Sequence, residues 1–242
     1  MSNKKPANVK NSTGNYGTNA AENWLQNLDK EFFQRHSSKF MVVAVIIALG
    51  IFGFNQYSQH QKAQSALFNE KMGQAYNFVY ENKSDSASQV LAEIITQSKG
   101  LNLAKASLLL GNIKFQSNDF VAAQNLYQQS VNAAGKSVLI ASAAEHGLAA
   151  AAMEQKNYDL ATRLLENFVR KYGKRSGNLQ ERYSENEKAD ISVMVPDALW
   201  KLTLCYNEMQ KTDLAKAKAE HLVKVYADSR LAVNARKFLA TL

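Results

Sequence analysis

Between Lys39 and Lys62 the chain carries no Lys, Arg, Asp or Glu. The 15 residues Phe40–Phe54, FMVVAVIIALGIFGF, also lack any strongly polar side chain. As a helix they would rise about 22 Å, short of a hydrocarbon core of about 30 Å. Extension to Tyr57 gives about 27 Å, with Phe40 and Tyr57 placed as an aromatic belt and Lys39 able to snorkel to the remaining edge. In lipid a backbone must satisfy its own hydrogen bonds, so residues 40–57 are expected to form one transmembrane helix. A buried core helix and a cleaved signal peptide are the competing readings. Against the second, 39 residues precede the segment, and the bulky polar Phe54-Asn55-Gln56-Tyr57 offers no small-x-small cleavage pattern. Cys205 is the only cysteine, which excludes a lipid-modified cysteine near this end.

The span divides the chain into residues 1–39, too short for an ordinary domain, and residues 58–242, long enough for one domain or a short repeat array. Two prolines and 11 glycines in 242 residues point to helices, because sheets and sandwiches use more turn residues. Lys4, Lys5, Lys10, Lys30, Arg35 and Lys39 precede the span, whereas only Lys62 follows it closely. The positive-inside rule therefore places the N-terminus in the cytoplasm and the large domain outside it. The net charge of +8 arises from six basic and three acidic residues before the span and 23 and 18 after it. That dispersed excess suits a neighbour of anionic lipid better than a nucleic-acid binder.

Residues 1–18 are polar, basic and poor in aliphatics, and are expected to be a disordered tail. Asn19 and Glu22 resemble an N-cap and its partner, ahead of Trp24, Leu25, Leu28 and Phe32 at helical spacing. That segment either lies on the cytoplasmic lipid surface or runs directly into the span. After the span, Gln56–Ala66 is free of glycine and extends the helix as a stalk.

A short motif then recurs: a small residue, an apolar residue four later, and an apolar or small one three after that. It reads Ala87-Leu91-Ile94, Ala123-Tyr127-Ser130, Ala161-Leu165-Phe168 and Ala215-Ala219-Leu222, with the alanines 36, 38 and 54 residues apart. A second helical signature precedes each of the later three copies, with Leu110-Gly111, Leu148-Ala149 and Leu202-Thr203 at its centre. In the first copy Gln74-Ala75 stands there. Small residues let two helices of a hairpin approach closely while large ones fill the flanking grooves. Over residues 68–228 the pattern resembles the tetratricopeptide repeat. The expected fold is all-α: one N-terminal transmembrane helix followed by a tetratricopeptide-like α-solenoid, with helix pairs near 84–97, 104–135, 142–172 and 196–227. Pro196 suits the first turn of the last pair. Asp228-Ser229 is expected to cap a terminal helix, Arg230–Thr241, whose Leu231, Val233, Ala235 and Leu239 cover the open end. Residues 173–195 exceed a repeat connection, and their charged part through Lys188 reads as an exposed loop or a frayed helix extension.

Signatures of chemistry are weak. Gly135-Lys136-Ser137 ends like a phosphate loop, but Ser130 stands where the first glycine is needed. His36, His60, His146 and His221 make no ligand spacing with one another or with Cys205, so no metal, cofactor or catalytic residue is assigned. Cys205, on an apolar helix, reads as a buried thiol. Arg170, Lys171, Lys174, Arg175 and Arg182 form a basic cluster. Its first two members complement a helix C-terminus, and the others are either solvated or face lipid headgroups or an acidic partner. The first helices of such hairpins line a concave surface. One stripe there, at helical spacing, reads Lys105, Leu108, Asn112, Phe115, then Ala143, His146, Ala150, Met153, then Asp197, Trp200, Leu204, Asn207. Asn112, Phe115, His146, Met153, Trp200, Leu204 and Asn207 are the candidate protein-binding groove, with ordinary core as the alternative for Phe115, Trp200 and Leu204.

The layout, with WLQNLDKEFFQRHSSKFMVVAVIIALGIFGF and the stalk after it, resembles the YfgM-type family of ancillary SecYEG translocon subunits. That resemblance implies a non-catalytic protein of the bacterial inner membrane with a periplasmic domain. Its implied partners are translocon subunits, chaperones or exported polypeptides. An envelope-assembly or cell-division scaffold is the alternative within the same class, and an enzyme with an unrecognised site is the alternative outside it. The topology has a direct test. Protease added to spheroplasts should digest residues after Tyr57 and leave the segment before Lys39 protected, and the reverse pattern would overturn the orientation.

Overall fold

The computed structural model describes residues 30–176 and 188–242, with side chains at Lys39 and from Met41 onward. The polar tail, the helix start at Asn19 and the charged run containing Arg182 lie outside the described residues. Among those described, every regular element is a helix: α1 (Lys30–Tyr80), α2 (Ser84–Gln97), α3 (Gly100–Gln116), α4 (Phe120–Ala133), α5 (Val138–Glu154), α6 (Tyr158–Tyr172), α7 (Val195–Glu208), α8 (Thr212–Val225) and α9 (Arg230–Leu239). The chain divides into two compact units, residues 1–63 and 64–242.

In the first unit the described part of α1 is long and apolar enough to cross a membrane. Its large apolar side chains from Met41 to Phe54 are exposed. In water such a surface would be strongly unfavourable, which fits a helix solvated by lipid.

The second unit is a solenoid. Residues 64–80 of α1 pair with α2, α3 with α4, α5 with α6, and α7 with α8; the first member of each pair is here the A helix and the second the B helix. The expected pair at 84–97 needs correcting, because α2 alone fills that range and its partner is the end of α1. No break separates span from hairpin, so the sequence gives no signal that the A helix begins before residue 68.

The same three-residue turn closes every hairpin. Its central residue has positive φ in all four cases: Asn82, Asn118, Lys156 and Gln210, at 58–62°. Left-handed backbone at the end of a helix lets the next amide fold back onto the helix's last carbonyls. Accordingly Lys83, Asp119, Asn157 and Lys211 donate their N–H groups to Phe78, Lys114, Ala152 and Tyr206 carbonyls at 2.8–3.0 Å. The carbonyls of these four residues then accept from Ala87, Ala123, Ala161 and Ala215 at 2.9–3.0 Å, opening the B helix. A single residue thus ends one helix and starts the next, which fixes a close antiparallel hairpin.

Those alanines are fully buried, as are Ala75 and Ala149 on the A helices. The motif positions that follow them, from Leu91 and Ile94 to Ala219 and Leu222, are buried too. The core is layered along the array. Phe68, Met72, Leu91, Ile94 and Ile113 fill the first layer, Tyr127 and Leu148 the middle, and Leu165, Phe168, Leu199, Leu202 and Leu222 the last. Helix α5 sits centrally, packed against α4, α6, α3 and α7. It is lined by small residues, with Ala149, Ala150, Ala151 and Ala152 all buried.

Several local expectations hold. Pro196 lies in the first turn of α7, and Cys205 is buried, its thiol pushed up to about 11 by burial. Gly135, at φ +57°, lies in the connection between α4 and α5. The terminal helix is capped by Ser229, whose Oγ accepts from Leu231 N at 3.2 Å. Its covering residues differ from the expected set. Ala232 and Ala235 are buried and Phe238 joins Leu231 and Leu239 against the core, whereas Val233 is 47% exposed. The true stripe runs 231, 232, 235, 238, 239, and Val233 falls on its far side.

The four equivalent turns are unequally capped. Asp119 and Asn157 accept from Ala122 N and Leu160 N at 3.2 Å, while Lys83 and Lys211 make no side-chain cap. Lys211→Asn should restore the bond that Asn157 makes and stabilise the protein by about 1 kcal/mol. That amounts to a rise of roughly 2–4 °C in the thermal unfolding midpoint followed by circular dichroism. An unchanged or lower midpoint would show that the turns are not equivalent.

Candidate functional site

The A helices present one face away from their B partners, and a cavity of about 400 Å³ opens on it. Helix α3 contributes Leu108, Asn112 and Phe115, and α5 contributes Ala143, His146, Gly147, Ala150 and Glu154. Met194 and Lys201 close it from the α7 side. Leu108, Phe115 and Met194 supply apolar wall, and the remaining groups supply polar and charged points. That mixture suits a polypeptide segment, whose backbone needs polar partners and whose side chains need apolar ones.

Tyr127 enters this cavity from the B side. It occupies the position held by Leu91, Leu165 and Ala219 in the other B helices, and is 3% exposed. Its ring passes between two A helices at the points where each carries glycine. A Cβ added at Gly111 would meet the ring at 2.9 Å, and one at Gly147 would meet it at 2.7 Å. The phenol then donates to Asn112 Oδ1 at 2.9 Å, and burial pushes its pKa up to about 12. A protonated donor is therefore fixed in the cavity wall.

The opposite wall is ionic. His146 Nε2 lies 2.6 Å from Asp197 Oδ2, joining α5 to α7, and Lys201 Nζ binds the same oxygen at 2.5 Å. Burial alone would raise the Asp197 pKa, but the hydrogen bonds and charges of His146 and Lys201 outweigh it and hold the carboxyl at about 2. Asp197 therefore stays ionised across the physiological range, and the stability its carboxylate contributes is lost as pH falls from about 4 toward 2. The His146 ring also meets the edge of Phe168 at 5.7 Å between centroids, which fixes its orientation.

Of the stripe read from sequence, the structure gathers Leu108, Asn112, Phe115, Ala143, His146 and Ala150 around the cavity. Asp197 stands directly behind, on His146. Met153 packs against the C-terminal core. Trp200 turns to the terminal helix, its ring edge-on to Phe238 at 6.4 Å. Leu204 is half-buried, while Lys105 and Asn207 are exposed. Phe115 combines both readings, lining the cavity while packing edge-on to Phe120 at 5.3 Å. Tyr127, Gly147, Glu154, Met194 and Lys201 are additions to the stripe. A tyrosine at a B-helix motif position, with glycines on both flanking A helices, is the signal that marks Tyr127 and Gly147.

The basic cluster is partly accounted for by local contacts. Lys171 Nζ binds Glu145 Oε1 at 2.6 Å and lies 4.8 Å from the Tyr172 ring centre, and Arg170 binds Asn167. Among the described residues no group of three or more His, Cys, Asp or Glu side chains is arranged to hold a metal ion.

Residues 30–189 match the tetratricopeptide repeat-like domain. The chain belongs to that family. Residues 197–229 match the tetratricopeptide repeat separately, over α7, α8 and the connection to α9. A solved structure titled "Crystal structure of MamA" is similar at 16% identity and a TM-score of 0.49, covering 69% of this chain and 90% of that one. No curated protein matches the chain. Tetratricopeptide repeat-like domains are typical of non-enzymatic modules that bind other proteins, and this one is a protein–protein interaction module in that sense.

Replacing a mid-helix glycine by alanine ordinarily stabilises a helix by about 1 kcal/mol. In this tetratricopeptide repeat-like domain the sign should reverse at Gly147. The new methyl group would strike the Tyr127 ring, and overpacking of this kind costs about 1–3 kcal/mol. Thermal unfolding should show Gly147→Ala less stable than wild type. In a Tyr127→Leu background the same change should be neutral or stabilising. A Gly147→Ala variant that gains stability in the wild-type background would refute the threading of Tyr127.

Proposed function

We propose that this chain is a membrane-anchored adaptor that takes polypeptide segments into the cavity formed by α3, α5 and α7. The observation that carries this reading is the composition of that one concave face. Leu108, Phe115 and Met194 stand beside the fixed Tyr127–Asn112 donor pair and the His146–Asp197–Lys201 cluster. A segment lying across it would bury apolar side chains while its amides and carbonyls find partners, which gives affinity with little sequence preference. Phe115 serves as the apolar anchor and Lys201 as an anionic or carbonyl partner. Asn112 acts through its remaining amide hydrogens, since its carbonyl accepts from Tyr127. Asn207, exposed on α7, lies outside the cavity, and Trp200 is taken up by its contact with Phe238.

Residues 40–57 anchor the module, with residues 1–39 cytoplasmic and residues 58–242 periplasmic. The exposed apolar helix from Met41 and the basic residues before it support that assignment. Together with the resemblance to the YfgM-type family, this favours a translocon-associated or chaperone-network adaptor over an envelope-assembly or cell-division scaffold. Its clients would be newly exported chains.

A photo-crosslinking residue at Phe115 in intact membranes should capture polypeptides emerging from export or their chaperones. The same residue at Val121, on the outer face of α4, should capture none of them. Lys201→Gln, which keeps a hydrogen-bond donor beside Asp197, should reduce capture severalfold, and the melting midpoint reads separately any stability lost with the ion pair. Equal capture from Phe115 and Val121 would refute the cavity as the binding surface. Capture of division or envelope-assembly proteins alone would replace the translocon reading with the scaffold reading.

A further inference from the structure

The connections between successive hairpins share an edge of the solenoid. Antiparallel hairpins place every A–B turn on one edge and every B-to-A connection on the other. Several contacts fix this arrangement. Ser130, near the end of α4, donates to Ala104 O near the start of α3 at 2.8 Å. Lys171, at the end of α6, reaches Glu145 in the first half of α5, and Arg236 reaches back to Ala227 O at 3.2 Å.

That B-to-A edge is both basic and apolar. The connection from α2 to α3 exposes Lys99 and Leu101, and the one from α4 to α5 exposes Lys136, Val138 and Leu139. The long connection before α7 exposes Lys174, Lys188, Ile191 and Val193. Leu139 is 76% exposed and Val193 93%. Large aliphatic side chains held beside lysines at three successive connections, at a cost in water, need an amphipathic neighbour. The A–B edge also exposes Tyr80, Val121 and Leu214 but differs in charge. Carboxylates stand at its turns, among them Asp85, Asp119, Asp159 and Asp213, partly offset by Lys83, Lys156 and Lys211.

Connectivity says which neighbour the basic edge meets. Residue 64 begins the first A helix, so the chain enters the solenoid on the B-to-A edge. Gln64 and Leu67 line the same small pocket as Gln97, Ser98 and Asn102. Only residues 58–63 separate this entry from Tyr57 at the end of the span. Even fully extended they reach about 25 Å. Gln64, where the chain enters that edge, is therefore covalently tethered within that distance of Tyr57.

We propose that the B-to-A edge of the solenoid docks on an anionic lipid surface. Lys99, Lys136 and Lys174 pair with headgroups, and Leu139 and Val193 insert at the acyl boundary. This rests on residues 40–57 spanning the membrane. Lysines near such a surface gain favourable energy within a Debye length, and aliphatic side chains beside them add apolar burial.

The test uses the full chain in nanodiscs of phosphatidylcholine with or without phosphatidylglycerol, carrying doxyl-labelled lipid. A fluorophore is attached at Leu139→Cys, the buried Cys205 being shielded from labelling and checked by the unlabelled wild type. Quenching should be severalfold stronger in the anionic discs. It should fall to the neutral-disc level with Lys99→Glu, Lys136→Glu and Lys174→Glu combined, or at high salt. A fluorophore at Val121→Cys, near the A–B edge, should stay unquenched in both. Equal quenching at Leu139 and Val121, or none at Leu139 in anionic discs, overturns the proposal. A photo-crosslinker at Leu139 that captures a protein, without quenching, assigns the edge to that protein instead. Extraction of the chain from membranes by alkaline carbonate would overturn the span itself, and the docking with it, independently of the Leu139 readout.

Discussion

Close approach between helices is the constraint on which this solenoid depends. Each B helix presents a fully buried alanine to its A partner, at Ala87, Ala123, Ala161 and Ala215, and the A helices answer with Ala75, Gly111, Ala149 and Thr203. Side chains this small let paired helices approach closely, with larger residues filling the grooves beside them. The left-handed residues at the four turns keep the same offset from those alanines, five positions before each. Turn geometry and helix contact are therefore one device, repeated. A shift of either alone would pull the hydrogen bonds at Lys83, Asp119, Asn157 and Lys211 out of register with the packed layer beneath them.

The concave cavity follows from a local departure from that rule. Where the other B helices place Leu91, Leu165 or Ala219 in the layer, α4 places a tyrosine too long for it. The excess length is accommodated by removing Cβ atoms from α3 and α5 at Gly111 and Gly147. The phenol therefore emerges on the concave face rather than being left without a partner inside the core, and Asn112 satisfies it. The neighbouring wall obeys the same economy of buried polar groups. Asp197 is held ionised because His146 and Lys201 both reach one of its oxygens, so the charge on α7 is neutralised where α5 packs against it.

How much of this was legible depended on the range of the interaction. The recurrent alanines, the proline that starts α7 and the buried thiol of Cys205 are consequences of local helical periodicity, which a sequence displays directly. Of the A-helix stripe, Leu108, Asn112 and Phe115 on α3 and Ala143, His146 and Ala150 on α5 line one cavity, whereas Lys105 and Met153 do not. The stripe diverged at α7, where Trp200 meets α9 instead of the cavity. The end of the array substitutes a capping helix for the next hairpin, and periodicity carries no information about that replacement. The His146–Asp197 pair spans 51 residues and exists only because the long connection returns α7 to the flank of α5. Nothing in either residue's local pattern announces the other. The first hairpin was obscured for the opposite reason: α1 runs unbroken from Lys30 to Tyr80, so no capping signal marked the A helix within it.

The long connection after α6 shows why the array tolerates such an irregular repeat. The spacing between equivalent alanines rises from 38 to 54 there, yet α7 packs on α6 and α5 as a regular successor. The described ends of the connection are joined by a neck. Ile191 donates to Tyr172 O at 2.8 Å, and Asp190 Oδ1 accepts from the Lys174 and Arg175 amides at 2.7 and 2.9 Å. The Arg175 guanidinium lies 5.5 Å from the Tyr226 ring centre, adding a contact from the following repeat. Because the ends are joined by the neck, extra length adds only the slowly growing entropy of a longer loop. It changes nothing in the helix contacts on either side. The described ends of the connection lie on the B-to-A edge, so length added between them disturbs neither the alanine contacts that build the solenoid nor the concave face beside them.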